Sequence, residues 1–264
     1  MITHVLIACS KTKRRPASKS LIWNKKTTIE RWNYSWRSEL NLTPACELYN
    51  GRALQQQLAL CSQYKGTKAH ILSAGAGLIS DIEDAIPSYE ATFQSGRGPT
   101  KTNWKRLPLG GLSNLQLEPD DVVVSFAPPQ YHQALLKDHD IRRIAPRLTV
   151  PETSPLSEVA SSTLPIHARA KEFLGVADVD LNTAFLRTYL SEGVDGFHNI
   201  ISACDNLPPK VNRRRVSDDE LLEIMIGADQ CKTLDSFVRH LRDDLKIAAS
   251  VERIREAMKI LSEK

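Results

Sequence analysis

The chain has 264 residues, 41% of them apolar, and sets 35 Lys and Arg against 31 Asp and Glu for a net charge of +4. That is enough apolar material for a real core, and too even a charge for composition alone to name a polyanion as partner. No apolar stretch approaches the length that spans a bilayer. The five cysteines lack CxxC or Cys/His spacing, which argues against structural zinc and for free thiols in a reducing compartment.

Taken in chain order, residues 3–8 (THVLIA) read as a buried strand that ends in the polar loop CSKTKRRP. The absence of a leader pattern ahead of it gives the expectation of a soluble, cytoplasmic protein. Residues 20–42, with Trp23, Trp32, Tyr34 and Trp36, read as a decorated insertion. Leu48, Leu54, Leu58 and Leu60 carry helical spacing over 46–64, and 69–73 (AHILS) is a second strand followed by the glycine-containing turn AGAGLIS. Residues 121–127 form a third strand, stopped by Pro128 and Pro129; a helix follows over 131–138 and a fourth strand over 143–150. Strands alternating with helices predict an α/β fold: three layers, a mainly parallel central sheet with helices on both faces.

The domain boundaries follow as 1–178 for the α/β catalytic domain, 179–212 for a helical and loop linker, and 213–264 for a small helical tail. In the tail, Ser217 has capping-box form ahead of Leu221, Leu222 and Met225. Thr233 and Ser250 can cap two further helices.

Charge is distributed unevenly. Residues 1–29 contain no acid but hold Lys11, Lys13, Arg14 and Arg15. Residues 91–117 contain none but hold Arg97, Lys101, Lys105 and Arg106. Lys210, Arg213, Arg214 and Arg215 form a third basic stretch. Such stretches in a nearly neutral chain give the expectation of a polyanion-facing side. Arg253 and Arg255 on the last helix extend it, as in a helix-turn-helix module, and Trp104 is expected to probe or wedge a duplex.

In a parallel sheet, ligands sit at the carboxyl ends of the strands. Ser10, Lys11 and Lys13 follow the first strand and suit a phosphate, or else form a solvated basic loop. Ser73 and Gly75 follow the second, where small residues permit close backbone approach. Tyr131 and His132 follow the third, facing a ligand or packed as structural groups. Glu47 beside Tyr49, the acidic run Asp81, Glu83 and Asp84, and Tyr89 with Glu90 offer carboxylates and aromatics for acid–base work, or solvated acidic surface. Cys9 beside Lys11 is a nucleophile or a small packed residue. There is no Walker loop.

Four segments in order, LIACSKTK, CELYNGRAL, ILSAGAGLI and IPSYEATF, resemble the YaaA-like group of bacterial proteins over roughly residues 3–175. The resemblance implies a uracil-DNA-glycosylase-like fold. The group includes a peroxide-stress DNA-binding protein, domains linked to deazaguanine chemistry, and anti-phage glycosylases that remove glucosylated hydroxymethylcytosine. Ser10, Lys11 and Lys13 match its first motif, Glu47, Leu48 and Tyr49 its second, Ser73, Gly77 and Leu78 its third, and Tyr89 and Glu90 its fourth.

The expectation that follows is a DNA glycosylase acting on a bulky modified base in phage DNA, without metal or cofactor. Glu47 is expected as the catalytic carboxylate, with Asp84 or Asp81 next. Ser10, Lys11, Lys13, Tyr49, Ser73, Gly75, Tyr89, Glu90, Tyr131 and His132 are expected to bind substrate. Arg14, Arg15, Arg97, Lys101, Trp104, Lys105, Arg213, Arg214, Arg215, Arg253 and Arg255 are expected to bind DNA. The alternative is a non-catalytic DNA-binding stress-response protein.

Overall fold

The computed structural model describes residues 1–209, 213–228, 231 and 233–262; Lys210 of the third basic stretch lies outside them. The chain divides into two compact units, Met1–Asn206 and Leu207–Lys264. The first runs β1 (Thr3–Ala8), α1 (Ile29–Ser38), β2 (Leu42–Pro44), α2 (Ala45–Leu48), α3 (Arg52–Gln63), β3 (Thr67–Ser73), β4 (Gly77–Ile79) and β5 (Ala85–Pro87). It continues with β6 (Val122–Ser125), α4 (Pro129–Leu136), α5 (Ile141–Ile144), β7 (Leu148–Pro151), β8 (Ser162–Leu164), α6 (Ala170–Leu174) and α7 (Leu181–Asp205).

The central sheet has the order β4-β3-β1-β6-β7-β8, and every pair is parallel except β3 with β4. Val5, Leu6 and Ile7 of β1 are each no more than 2% exposed. Successive residues of a strand face opposite sides, so both faces of the sheet are covered. This is a mixed α/β unit with a mostly parallel sheet flanked by helices. By order of appearance its parallel strands run 2-1-3-4-5, and the order reverses between β1 and β6. A crevice opens at such a reversal, outside the carboxyl ends of the strands.

Three local expectations need correction. The single helix over 46–64 is two, because the loop after β1 docks on its middle: Arg14 N–H donates to Leu48 O and Asn50 N–H to Thr12 O. The fourth strand begins at Leu148, since Arg142 and Arg143 belong to α5. Residues 181–205, expected as part of a linker, form α7 within the first unit. Its Phe185 and Phe197 pack on Phe126 after β6, and it breaks at Gly193, whose φ of 63° is natural only to glycine.

The second unit holds β9 (Arg214–Arg215), α8 (Asp218–Ile226), α9 (Leu234–Arg239) with a wide turn over His240–Asp244, β10 (Ile247–Ala248) and α10 (Val251–Ser262). Ser217 accepts from the Glu220 amide, and Thr233 and Ser236 close a capping box. Leu221, Met225, Phe237, Leu241 and Ile254 gather into one core.

Candidate active site

The loop after β1 is fastened at both ends. Ser10 Oγ donates to Thr12 O (2.7 Å) and accepts from Gly51 N (3.1 Å). A side chain at Gly51 would collide with Ser10. Lys13 pairs with Tyr49 through a backbone bridge, which turns its side chain inward. Its Nζ lies 4.3 Å from the centroid of the Tyr89 ring and 5.5 Å from that of Tyr49, within cation–π range of both. Burial pushes the Lys13 ammonium below its ordinary pKa; the neighbouring Cys9 and Glu90 oppose that.

Beneath the ammonium runs a chain of hydroxyls. Tyr49 and Tyr89 share a hydrogen bond of 2.5 Å, and Tyr89 OH also bonds Ser73 Oγ. Ser73 Oγ accepts in turn from the amides of Gly75 and Ala76. All three residues are fully buried, and burial pushes both phenols up, so they stay protonated. Trp104 Nε1 donates to Ser73 O and Trp32 Nε1 to Gly75 O, both at 2.7 Å. Trp36 packs on Tyr89 with ring centroids 5.3 Å apart.

Where the strand order reverses, Cys9 borders two clefts. One, of about 540 Å³, is walled by Cys9, Ser10, Lys11, Thr92, Phe93, Gln94 and Tyr131. The other, of about 330 Å³, lies between Cys9, Arg52, Gln57, Phe126 and Asp180. Tyr131 OH and Cys9 Sγ are 3.3 Å apart, and Phe93 meets Tyr131 edge-on. Both volumes fall in the range of small-molecule sites.

The structure thus brings Ser10, Lys11, Lys13, Tyr49, Ser73, Tyr89, Glu90 and Tyr131 to one edge of the sheet. Other expected residues lie elsewhere or serve the scaffold. β4 runs antiparallel back along β3, with Ile79 opposite Ile71. Asp81 therefore lies toward the start of β3, and the acidic turn supports α2: Ala45 N–H donates to Asp84 O and Cys46 N–H to Ile82 O. Glu47 is exposed and shares with Glu83 the surroundings of Cys46. Gly75 approaches Tyr89 and Ala91, which a side chain there would strike, so its small size serves packing. His132 is 2% exposed between Ser125 (2.9 Å) and Ser154 (2.7 Å), and burial lowers its pKa to about 4. It faces no ligand. Trp104, 1% exposed, cannot wedge a duplex.

Among the basic residues, Arg14, Arg15 and Arg97 are exposed. Lys101 bonds Gln133, and Lys105 approaches His139 at 3.0 Å. Among the described residues, Asp138, His139 and Asp140 bring potential metal-ligand atoms together. Asp138 already accepts from the amides of Leu112 and Asp140.

Two features were not foreseen. The Trp-rich insertion is the aromatic floor of the site, and its tryptophans were the signal. At the opposite end of β1, His4 bridges His70 (2.8 Å) and Asp121 (3.1 Å), all buried. The amides of Glu118 and Ile2 help hold Asp121 down to about 2.

Fold and site together define an α/β protein with a cationic, aromatic crevice at the carboxyl edge of a mostly parallel sheet. No model of a known protein family matches the chain, and neither a curated protein nor a solved structure matches it. Among the described residues no helix is long and apolar enough to cross a membrane.

Proposed function

We propose that this chain is a DNA glycosylase that removes a bulky modified base. The observation that carries the reading is Lys13, held over two buried tyrosines near Glu90, on the loop whose Ser10 and Lys11 wall the larger cleft. The resemblance of the loop motifs to YaaA-like proteins supplies the substrate class: glucosylated hydroxymethylcytosine in phage DNA, met in the cytoplasm. It also supplies the finer reading of the fold as uracil-DNA-glycosylase-like.

The nucleotide would leave the stack and enter the cleft walled by Cys9, Lys11, Thr92 and Tyr131. Breaking the C1′–N bond sends its electron pair to the base and leaves positive charge on the sugar. Glu90, which directly precedes the cleft wall at Ala91 and Thr92, would stabilise that charge and take a proton from the attacking water, whose oxygen bonds to C1′. The departing base gains a proton, and the sugar is left as an abasic hemiacetal. Lys11, exposed at the cleft wall, would hold a flanking phosphate.

The test is release of base from modified and unmodified DNA, read as abasic sites. Glu90→Gln should lower single-turnover release about a hundredfold while DNA affinity holds, the scale of losing one charge-stabilising group. Glu47→Gln should change it little. The reverse pattern would return the role to Glu47. Binding without any abasic product would favour the non-catalytic DNA-binding reading.

A further inference from the structure

The second unit carries a cleft of about 480 Å³ whose walls include Arg213, Arg215, Arg242 and Arg253. We propose that this cleft grips the phosphate backbone of duplex DNA, with Arg213 and Arg215 as its principal phosphate ligands. The inference deepens the reading of the chain as one that acts on DNA.

The arrangement sorts the Arg213-Arg214-Arg215 run. Side chains alternate across a strand, so Arg213 and Arg215 face the cleft, while Arg214 turns away to an ion pair with Glu220. Two residues of strand separate the two cleft arginines by about 7 Å along the chain, comparable to the step between neighbouring phosphates of one strand. The other two guanidinium groups are held in place. Arg242 donates through Nε and Nη2 to Asp243, both at 2.8 Å. Arg253 donates to Asp218 (2.7 Å) and to Val216 O (2.8 Å). Four guanidinium groups against these two carboxylates leave the cleft cationic. Ser250 and the amino end of α10 line it too, and a helix amino terminus favours anions. Guanidinium is the side-chain group best matched to phosphate oxygens. The apolar floor, which includes Ile247 and Ile254, suits the face of a sugar.

This corrects the expectation that α10 presents Arg253 and Arg255 together to a groove. They are two residues apart on a helix, about 200° around its axis. Arg253 turns back toward α8, and Arg255 is exposed away from the cleft.

The test measures binding of the full chain to unmodified duplex across a salt series, so it does not depend on base release. The R213Q/R215Q variant should weaken binding to every sequence. It should reduce the log–log salt slope by about 0.9 for each phosphate no longer neutralised. R214Q should leave the slope near that of the parent chain. Circular dichroism of each variant checks that the unit is folded. An unchanged slope in a folded double variant overturns the proposal. So does parent-chain binding to vesicles of anionic lipid that matches its binding to DNA and is lost in the same variant.

Discussion

His70 and His132 are both held well below the ordinary histidine value of 6.5, to about 4 each, by burial first; His70 is lowered further by His4 beside it. Their folded forms are neutral. Between about 6.5 and 4 the unfolded chain binds protons at both positions and the folded chain does not, so stability rises with pH across that window and is lost as pH falls through it. Unfolding near pH 5 should therefore take up about two protons from these groups. Thermal melting from pH 7 to 4 should show the fall in Tm, and His132→Gln, which cannot titrate, should make it shallower. An equally steep fall in that variant would remove His132 from the account. The sequence left His132 open between a ligand-facing and a structural role. A histidine after a strand looks the same in either, and only Ser154, 22 residues away and 2.7 Å distant, decides.

The turn between β3 and β4 puts the same difficulty at the scale of elements. SAGAG reads as a loop made small for a ligand, yet its glycines admit other parts of the chain. Gly77 adopts φ 96°, and a side chain there would meet the carbonyl of Gly110, beside the bond from Leu78 N–H to that same oxygen. Gly77→Ala should destabilise the first unit by about 1–3 kcal/mol, the cost of an L-residue in such backbone, read as a lower denaturant midpoint with unchanged slope. Periodicity and turn chemistry revealed β1, β3, β6 and α4 because burial on a parallel sheet writes itself into consecutive apolar residues. The aromatic floor was less legible: Trp23, Trp32 and Trp36 stand among polar neighbours, and their burial depends on packing with Gly75 and Tyr89 that no local pattern encodes. The acidic turn misled for a related reason. Asp81 and Asp84 are near Tyr89 in sequence, but β4 carries them away from Ser73 along β3.

For the whole molecule, the division at Asn206 and Leu207 has a testable consequence. The second unit's core, from Val216 to Ala257, is built of its own residues, and α7 belongs with the sheet. A chain ending at Asn206 should therefore stay folded and lose one calorimetric transition while keeping the other. It should retain base release on short substrates and bind long duplex more weakly. Aggregation of that chain, with exposed apolar surface, would mean that the two units complete one core. The boundary expected at 178 falls short of this division, since 179–212 read as a helical and loop linker while α7 packs with the first unit. Its aromatic residues were visible, but their partner Phe126 lies 59 residues before Phe185 and 71 before Phe197.

The arginine triplet before α8 carries information that net charge does not. Pairing of Ile247 with Arg214 and of Ala248 with Arg215 sets a reading frame for the triplet. A shift of one residue in that pairing exchanges every side chain between the two sides of the strand. Arg214 alone would then enter the cleft, and Arg213 and Arg215 would crowd toward Glu220. The composition, the isoelectric point and the count of cations would all be unaltered. The segment is written in phase as well as in charge, and one inserted residue would erase the message without deleting a letter.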